Sequence, residues 1–460
     1  MPRPNILYVM TDQQRADAMG CSGGWVKTPN LDRIASEGVR FENAVTNSPV
    51  CIPARVSLAT GRYPHNTTIW NNVHFDMPPD TPTWMQAVRE AGYHTSVFGK
   101  THLHHHSGDL RDREHLIHAY GLDEVDEIGG PRASARVGSY MTERWDKKGL
   151  WEKYQEDYAE RFENKPWVVR PSVLPLEEYA DVYVGQQAKK YLESYDREEP
   201  WFCWVSFGGP HEPWDTPEPY ASMYEPEDMP PPMDREEILK KENVGGNIGR
   251  RLNRAADIPA EDIAAMRADY AANVTLIDEQ IGQILTAVED RGELENTVII
   301  FSSDHGEMNG DHGMIYKGHF LNGALRVPLL VRTPETANGD VAGSVSESPV
   351  EWFDIGPTLV EAAGGELEHQ QFARSLYPVL ESPASEHRQF VVSEIHGEVM
   401  IMDRRWKLIF SADGEPYALF DQINDPEEIA NRADDPEMKD VVDRMQEQLF
   451  QHIVRTQVRR

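Results

Sequence analysis

Apolar residues in this chain recur in two rhythms. Ile6-Leu7-Tyr8-Val9-Met10 is a continuous apolar run, and such a run suits a parallel strand buried on both faces. Trp201 to Phe207 and Thr297 to Phe301 read the same way, and Gly92 to Phe98 predicts a shorter strand ending at Gly99-Lys100. Elsewhere the period becomes helical. Ile263, Met266, Tyr270, Val274, Ile277, Ile281, Ile284 and Val288 predict one long amphipathic helix from Glu261 to Glu289. Shorter helices are predicted to start near Thr28-Pro29, to run from Thr83 to Glu90 and from Asp181 to Tyr195, and to run from Ser57 to a glycine stop at Gly61. Strands alternating with helices predict an α/β fold, a large and mostly parallel central sheet flanked by helices.

Two stretches depart from this alternation. Leu103 to Val173 is charged and aromatic with weak periodicity, and reads as a long excursion over the ligand-binding face. From about residue 370 the elements shorten: Phe390 to Ile395, Val399 to Met402 and Trp406 to Phe410 read as strands, and Met438 to Val454 as a terminal helix. The expected organisation is therefore an α/β unit over 1–370 and a small C-terminal unit over 371–460, an antiparallel sheet plus a helix.

Composition narrows the function. With 460 residues and 39% hydrophobic residues, the chain can bury a large core and is not a disordered protein. A formal net charge of -32 repels nucleic acid and anionic membranes, so neither is expected as a partner. An enzyme with this surface that binds anions must gather its cations locally. Three cysteines, Cys21, Cys51 and Cys203, make no disulfide framework. The first apolar run is too short for a signal or membrane helix, so the sequence as written reads as cytoplasmic.

Several polar residues fall at or beyond the C-terminal ends of predicted strands: Asp12, Lys100, His211, and Asp304 with His305. In an open parallel sheet that edge is where ligands bind. Asp12 and Asp304 are hard oxygen ligands suited to Ca2+, Mg2+ or Mn2+; Gln13 can add a carbonyl oxygen, and His305 a nitrogen that shifts the choice toward Mn2+. Lys100, His102, His211 and Lys317 are candidate binders of an anionic group. The run His104-His105-His106 is set aside as a metal site because adjacent residues diverge in direction, and Cys21 and Cys203 are read as ordinary thiols.

Cys51-Ile52-Pro53-Ala54-Arg55, followed by Leu58-Ala59-Thr60-Gly61-Arg62, resembles the signature of type I sulfatases in the alkaline phosphatase superfamily. Further segments resemble the same family in order along the chain: Pro4 to Gln13, Thr28 to Asp32, Gly92 to His102, Ser303 to Glu307, Tyr316-Lys317, and Leu419 to Glu428. The resemblance implies an alkaline phosphatase-like fold and hydrolysis of sulfate esters. It implies that a maturation enzyme oxidises Cys51 to formylglycine, whose hydrate attacks sulfur with one hydroxyl and expels sulfate by collapse of the other. A plain thiolate would instead keep the transferred group as a stable adduct. On the same basis Asp12, Gln13, Asp304, His305 and the modified Cys51 hold one divalent metal, and Arg55 orients the nucleophile. Lys100, His211 and Lys317 grip the sulfate, and His102 is the base for collapse. Asn71 or Asn72, with Asn72 preferred, helps bind the anion. Ile52 stands where a small or hydroxyl residue is usual. The Asp-Gln and Asp-His pairs resemble the choline sulfatase and phosphonate monoester hydrolase branches, whereas Lys100 and His102 follow the sulfatase pattern. The expected substrate is thus a small-molecule or saccharide sulfate ester. A phosphonate monoester hydrolase or phosphodiesterase is the first alternative, a non-catalytic anion-binding protein the second, and a homo-oligomer is allowed.

Overall fold

A computed structural model describes residues 3–233 and 245–458. Eight strands form the central sheet: β1 (Asn5–Thr11), β2 (Val39–Phe41), β3 (His94–Gly99), β4 (Glu124–Glu127), β5 (Trp201–Ser206), β6 (Thr297–Ser303), β7 (Leu329–Arg332) and β8 (Ser344–Ser346). Their spatial order is β4-β3-β5-β1-β6-β7-β2-β8. From β4 to β6 every neighbour is parallel; β7 runs antiparallel to both β6 and β2.

The continuous apolar runs are explained by burial on both faces. In β1, Leu7 and Val9 enter one core with Cys203, Val205, Ile299 and Phe301. Ile6, Tyr8 and Met10 enter the opposite core with Phe202, Trp204, Val298 and Ile300. The helices that matter here are α1 (Pro29–Glu37), α2 (Cys51–Thr60), α3 (Trp84–Glu90), α4 (Tyr140–Lys147), α5 (Trp151–Asn164), α6 (Ala180–Ser194), α7 (Ala260–Asp290), α8 (Ile355–Ala362) and α9 (Lys439–Arg455). Apolar residues of α1, α6 and α7 join the first core, and those of α2, α3 and α8 the second.

Beyond residue 390, β9 (Val391–Ile395), β10 (Glu398–Met402), β11 (Trp406–Phe410) and β12 (Pro416–Asp421) form an antiparallel sheet in chain order. One face packs Val392, Ile401, Leu408 and Leu419 under Met445 and Leu449 of α9. The other packs Val391, Met400, Ile409 and Phe420 against Val50, Met308 and Phe320. The small sheet therefore buttresses the loops on either side of Cys51 and Asp304.

Three expectations need revision. The excursion from Leu103 to Val173 carries elements the sequence reading did not place, edge strand β4 and helices α4 and α5. The sequence Glu-Val-Asp-Glu of β4 hides it, because an edge strand has few apolar positions. Helix α2 begins at Cys51, not Ser57; all ten of its residues are buried, so it carries no amphipathic rhythm, and Pro53 in its first turn reads as a breaker although a first turn tolerates proline. The fourth small strand, β12, was also not predicted. No helix among the described residues is long and apolar enough to cross a membrane. Within the stretch from Glu212 to Arg254, residues 234–244 lie outside the described residues.

Candidate active site

The parallel strands deliver their C-terminal ends to one edge. Asp12 directly follows β1, Lys100 follows β3, His211 lies five residues past β5, and Asp304 follows β6. Gly99 lets β3 leave the sheet beside β5: its φ is +111°, and a Cβ there would run into the Ser206 carbonyl. Cys51 meets these residues from the second core as the first residue of α2, where unpaired N–H groups and the helix dipole favour negative charge. The Ile52 N–H is capped by Asn72 Oδ1 at 2.9 Å.

Four buried side chains converge: Asp12, Cys51, Asp304 and His305 offer ligand atoms that all lie within 4.8 Å of one another. Cys51 Sγ is 3.1 Å from His305 Nε2 and 3.9 Å from Asp12 Oδ1. His305 Nδ1 faces the Gly306 carbonyl at 3.0 Å, which fixes a proton there and leaves Nε2 free to bind. Two carboxylates, one imidazole and a Cys51-derived group fit a divalent cation.

Arg55, one turn along α2, neutralises the same carboxylates. It reaches Asp12 Oδ2 at 2.9 Å and Asp304 Oδ2 at 2.8 Å, and its Nη1 donates to the Lys100 carbonyl at 2.6 Å. Lys100 Nζ lies 2.5 Å from Asp12 Oδ2. Burial pushes the Asp12 carboxyl up, but Lys100, His211 and Arg55 outweigh it and hold Asp12 well below the usual carboxylate range. Asp304 moves the other way, raised by burial and by Asp12. Burial and Asp12 also push the Cys51 thiol up, yet Lys100, Lys317 and His305 bring it down to about 5. Cys21 and Cys203, chiefly through burial, are pushed up to about 12.

A cavity of about 440 Å3 opens in front of Cys51 and is lined by Asn72, Lys100, His102, His211 and Lys317. Burial and Lys100 keep His102 well below the ordinary histidine value, and its Nδ1 has no hydrogen-bond partner among the described residues. Burial likewise lowers His211, whose Nδ1 faces the Glu212 carbonyl at 2.9 Å. Both rings are thus neutral near pH 7 and can give or take a proton.

The sequence-predicted site residues thus fall in the ligand group, in Arg55's pairs or in the cavity wall, and Gln13 lies between Asp304 and Lys317. Gln13 stands beside the ligand group, its backbone N–H 3.2 Å from Asp304 Oδ1. Its amide oxygen accepts from Lys317, and its amide nitrogen donates to Glu212 at 2.9 Å and to Glu307. It therefore orients Lys317 behind the wall. Glu212 and Glu307 were missed by the sequence reading, although each stands beside a predicted residue in the runs His211-Glu212 and Asp304-His305-Gly306-Glu307. Burial and Glu212 push Glu307 up to about 7. Arg132 and Tyr316 also line the cavity; Arg132 pairs with Glu212, and its guanidinium lies 5.5 Å from the Tyr316 ring centroid. Trp70, Trp145, Trp151 and Trp214 do not line the cavity, and Trp145 and Trp214 are buried.

The Sulfatase family profile matches residues 4–365, and the profile of the N-sulphoglucosamine sulphohydrolase C-terminal region matches residues 310–455. An arylsulfatase of Clostridium perfringens is 30% identical over 98% of this chain and 94% of its own length. A choline-sulfatase of Rhizobium meliloti is 27% identical, covering 94% of this chain and 79% of its own. Among solved structures, a phosphonate monoester hydrolase of Agrobacterium radiobacter superposes with a TM-score of 0.82 at 27% identity, covering 99% of this chain and 96% of that one.

Proposed function

The chain belongs to the sulfatase family and is a sulfuric ester hydrolase, and from that premise we propose that it cleaves a small-molecule or saccharide sulfate ester at the cavity in front of Cys51. The observation that carries this reading is the convergence of Asp12, Cys51, Asp304 and His305 within 4.8 Å at the start of α2, facing a wall of Lys100, His102, His211 and Lys317.

In this reading a maturation enzyme converts Cys51 to formylglycine, whose hydrate supplies one hydroxyl to attack sulfur and a second to release sulfate. A divalent cation, Ca2+ or Mn2+ with Mg2+ allowed, supplies charge stabilisation at that centre when bound, and Asp12, Gln13, Asp304 and His305, with the modified Cys51, would hold it. The chain's own groups do the rest. Arg55 keeps both carboxylates in place and fixes the start of α2. Lys100 and Lys317 bring positive charge to the sulfate oxygens. With them His211 grips the sulfate and assists the leaving oxygen, and His102, whose Nδ1 has no partner among the described residues, takes the proton when sulfate is expelled. Asn72 holds the Ile52 N–H and contributes its amide to anion binding. Division near residue 370 into catalytic and C-terminal units belongs to the same reading, supported by the small sheet lying wholly beyond residue 390.

A second reading, phosphonate monoester or phosphodiester hydrolysis, draws on the Asp12-Gln13 and Asp304-His305 pairs and on the 0.82 superposition. Paired turnover of an aryl sulfate and an aryl phosphonate ester separates the two. The proposal expects the higher kcat/KM on the sulfate and its loss in Cys51→Ala. A higher kcat/KM on the phosphonate favours the second reading, and full turnover by Cys51→Ala refutes both.

A further inference from the structure

A second group of metal-ligating side chains stands beside the catalytic cavity and has no part in the reaction proposed above. His104, His106 and Glu127 are all buried, and their ligand atoms lie within 4.8 Å of one another. His104 Nε2 is 2.7 Å from Glu127 Oε2, and His106 Nε2 is 3.1 Å from Glu127 Oε1. The backbone accounts for the convergence. His104 and His106 both turn toward Glu127, while His105 between them meets the His74 ring. Glu127 ends β4, the strand beside β3, and β3 leads into this same loop.

The outer contacts argue for a cation between these groups. His104 Nδ1 faces the His105 carbonyl at 3.2 Å, and His106 Nδ1 faces the Gly129 carbonyl at 3.4 Å. A carbonyl only accepts, so each ring's proton belongs on Nδ1, and each Nε2 presents a lone pair. Two lone pairs then confront one carboxylate, an arrangement that a second proton on each ring or a metal ion resolves. Thr101 Oγ1 donates to Glu127 Oε1, the outer hydrogen bond that orients a ligating carboxylate.

We propose that His104, His106 and Glu127 bind a second divalent ion of the Zn2+ class, separate from the cation at Asp12, Gln13, Asp304 and His305. Two imidazoles and one carboxylate are a zinc donor set rather than a calcium one, and three protein ligands leave a fourth position for water. The ion fixes the loop that carries His102, whose ring centroid lies 4.6 Å from that of His106. The second site is the same whether the substrate is a sulfate or a phosphonate ester.

Metal stoichiometry tests it. The full-length protein is stripped, dialysed against Zn2+ in excess Ca2+, and analysed for bound metal in wild type, Asp304→Asn, His106→Gln and Thr101→Val. Expected are a Zn2+ equivalent retained in Asp304→Asn, more than about 100-fold weaker Zn2+ binding in His106→Gln, and about 10-fold weaker binding in Thr101→Val, since loss of an outer partner alone costs about 10–100-fold. Zn2+ should raise the melting temperature of Asp304→Asn but not of the double variant Asp304→Asn/His106→Gln. Absence of bound Zn2+ in Asp304→Asn, or Zn2+ binding unaffected by His106→Gln in a protein that melts cooperatively, overturns the proposal.

Discussion

Arg55→Met isolates the electrostatics of the nucleophile helix. The substitution keeps most of the side-chain volume and removes the charge. In the wild type the guanidinium is fully buried and joins Asp12 at 2.9 Å to Asp304 at 2.8 Å. Asp12 keeps Lys100, 2.5 Å away, but Asp304 is left with backbone donors, the N–H groups of Gln13 and His305. Removing one partner of a buried ion pair costs about 3–5 kcal/mol. At ~2.1 cal/mol/K of unfolding entropy per residue, a chain of this length loses about 1 °C per kcal/mol, so the metal-free variant should melt about 3–5 °C lower. Two modulations follow. A saturating divalent cation takes over part of the lost charge compensation and shrinks the gap. Burial already raises the Asp304 carboxyl, so protonation relieves the unpaired charge, and the gap should be smaller at pH 5 than at pH 8. Calorimetry with chelator, with Ca2+ and with Mn2+ at the two pH values reads all of this. A metal-free variant that melts with the wild type would refute the reasoning.

Further outcomes follow from the same geometry. In metal-free protein that has not been matured, a small alkylating reagent should modify Cys51 well ahead of Cys203 at pH 7, because Cys51 is brought down to about 5 and Cys203 pushed up to about 12; the Cys51 rate should be flat from pH 8 to 6 and fall below about 5, read by peptide mass spectrometry. Lys100→Ala should lower kcat by about 10²–10³ on a sulfate ester, the usual cost of one charge-stabilising donor. His102→Gln should lower kcat by about 10²–10⁴ with a smaller effect on KM, measured by steady-state kinetics. Burial, against hydrogen bonds from Thr216, pushes Asp269 up to about 7 from 3.8; between those values the unfolded chain has released a proton that the folded chain keeps, so wild-type stability falls as pH rises through that window and levels off above it. Melting curves from pH 4 to 8 should therefore show Asp269→Asn gaining on the wild type up to about pH 7.

The strand ends were legible in the sequence because continuous apolar runs mark buried parallel strands, and the residue after each run is then placed on one edge. Asp12, Lys100 and Asp304 follow directly from Ile6 to Met10, Val97-Phe98 and Val298 to Phe301. Cys51 and Arg55 needed the resemblance, since α2 is buried all round and has no rhythm to read. The side-chain network behind the wall was not legible. Gln13 reads as an oxygen donor in the sequence, but its amide partners from distant segments, Glu212, Glu307 and Lys317, are not readable there. The histidine run was set aside because neighbours diverge, which is true of His105; the pairing of His104 with His106 needed Glu127, more than twenty residues away on a strand with few apolar residues.

Catalysis as proposed turns on Cys51, and the mass of the peptide that carries it is the most direct test. After co-expression with a formylglycine-generating enzyme, that peptide should have exchanged one sulfur and two hydrogens for one oxygen, the signature of an aldehyde at residue 51. The modified fraction should track sulfate-ester turnover from one preparation to the next. An unmodified Cys51 in fully active protein would contradict the mechanism.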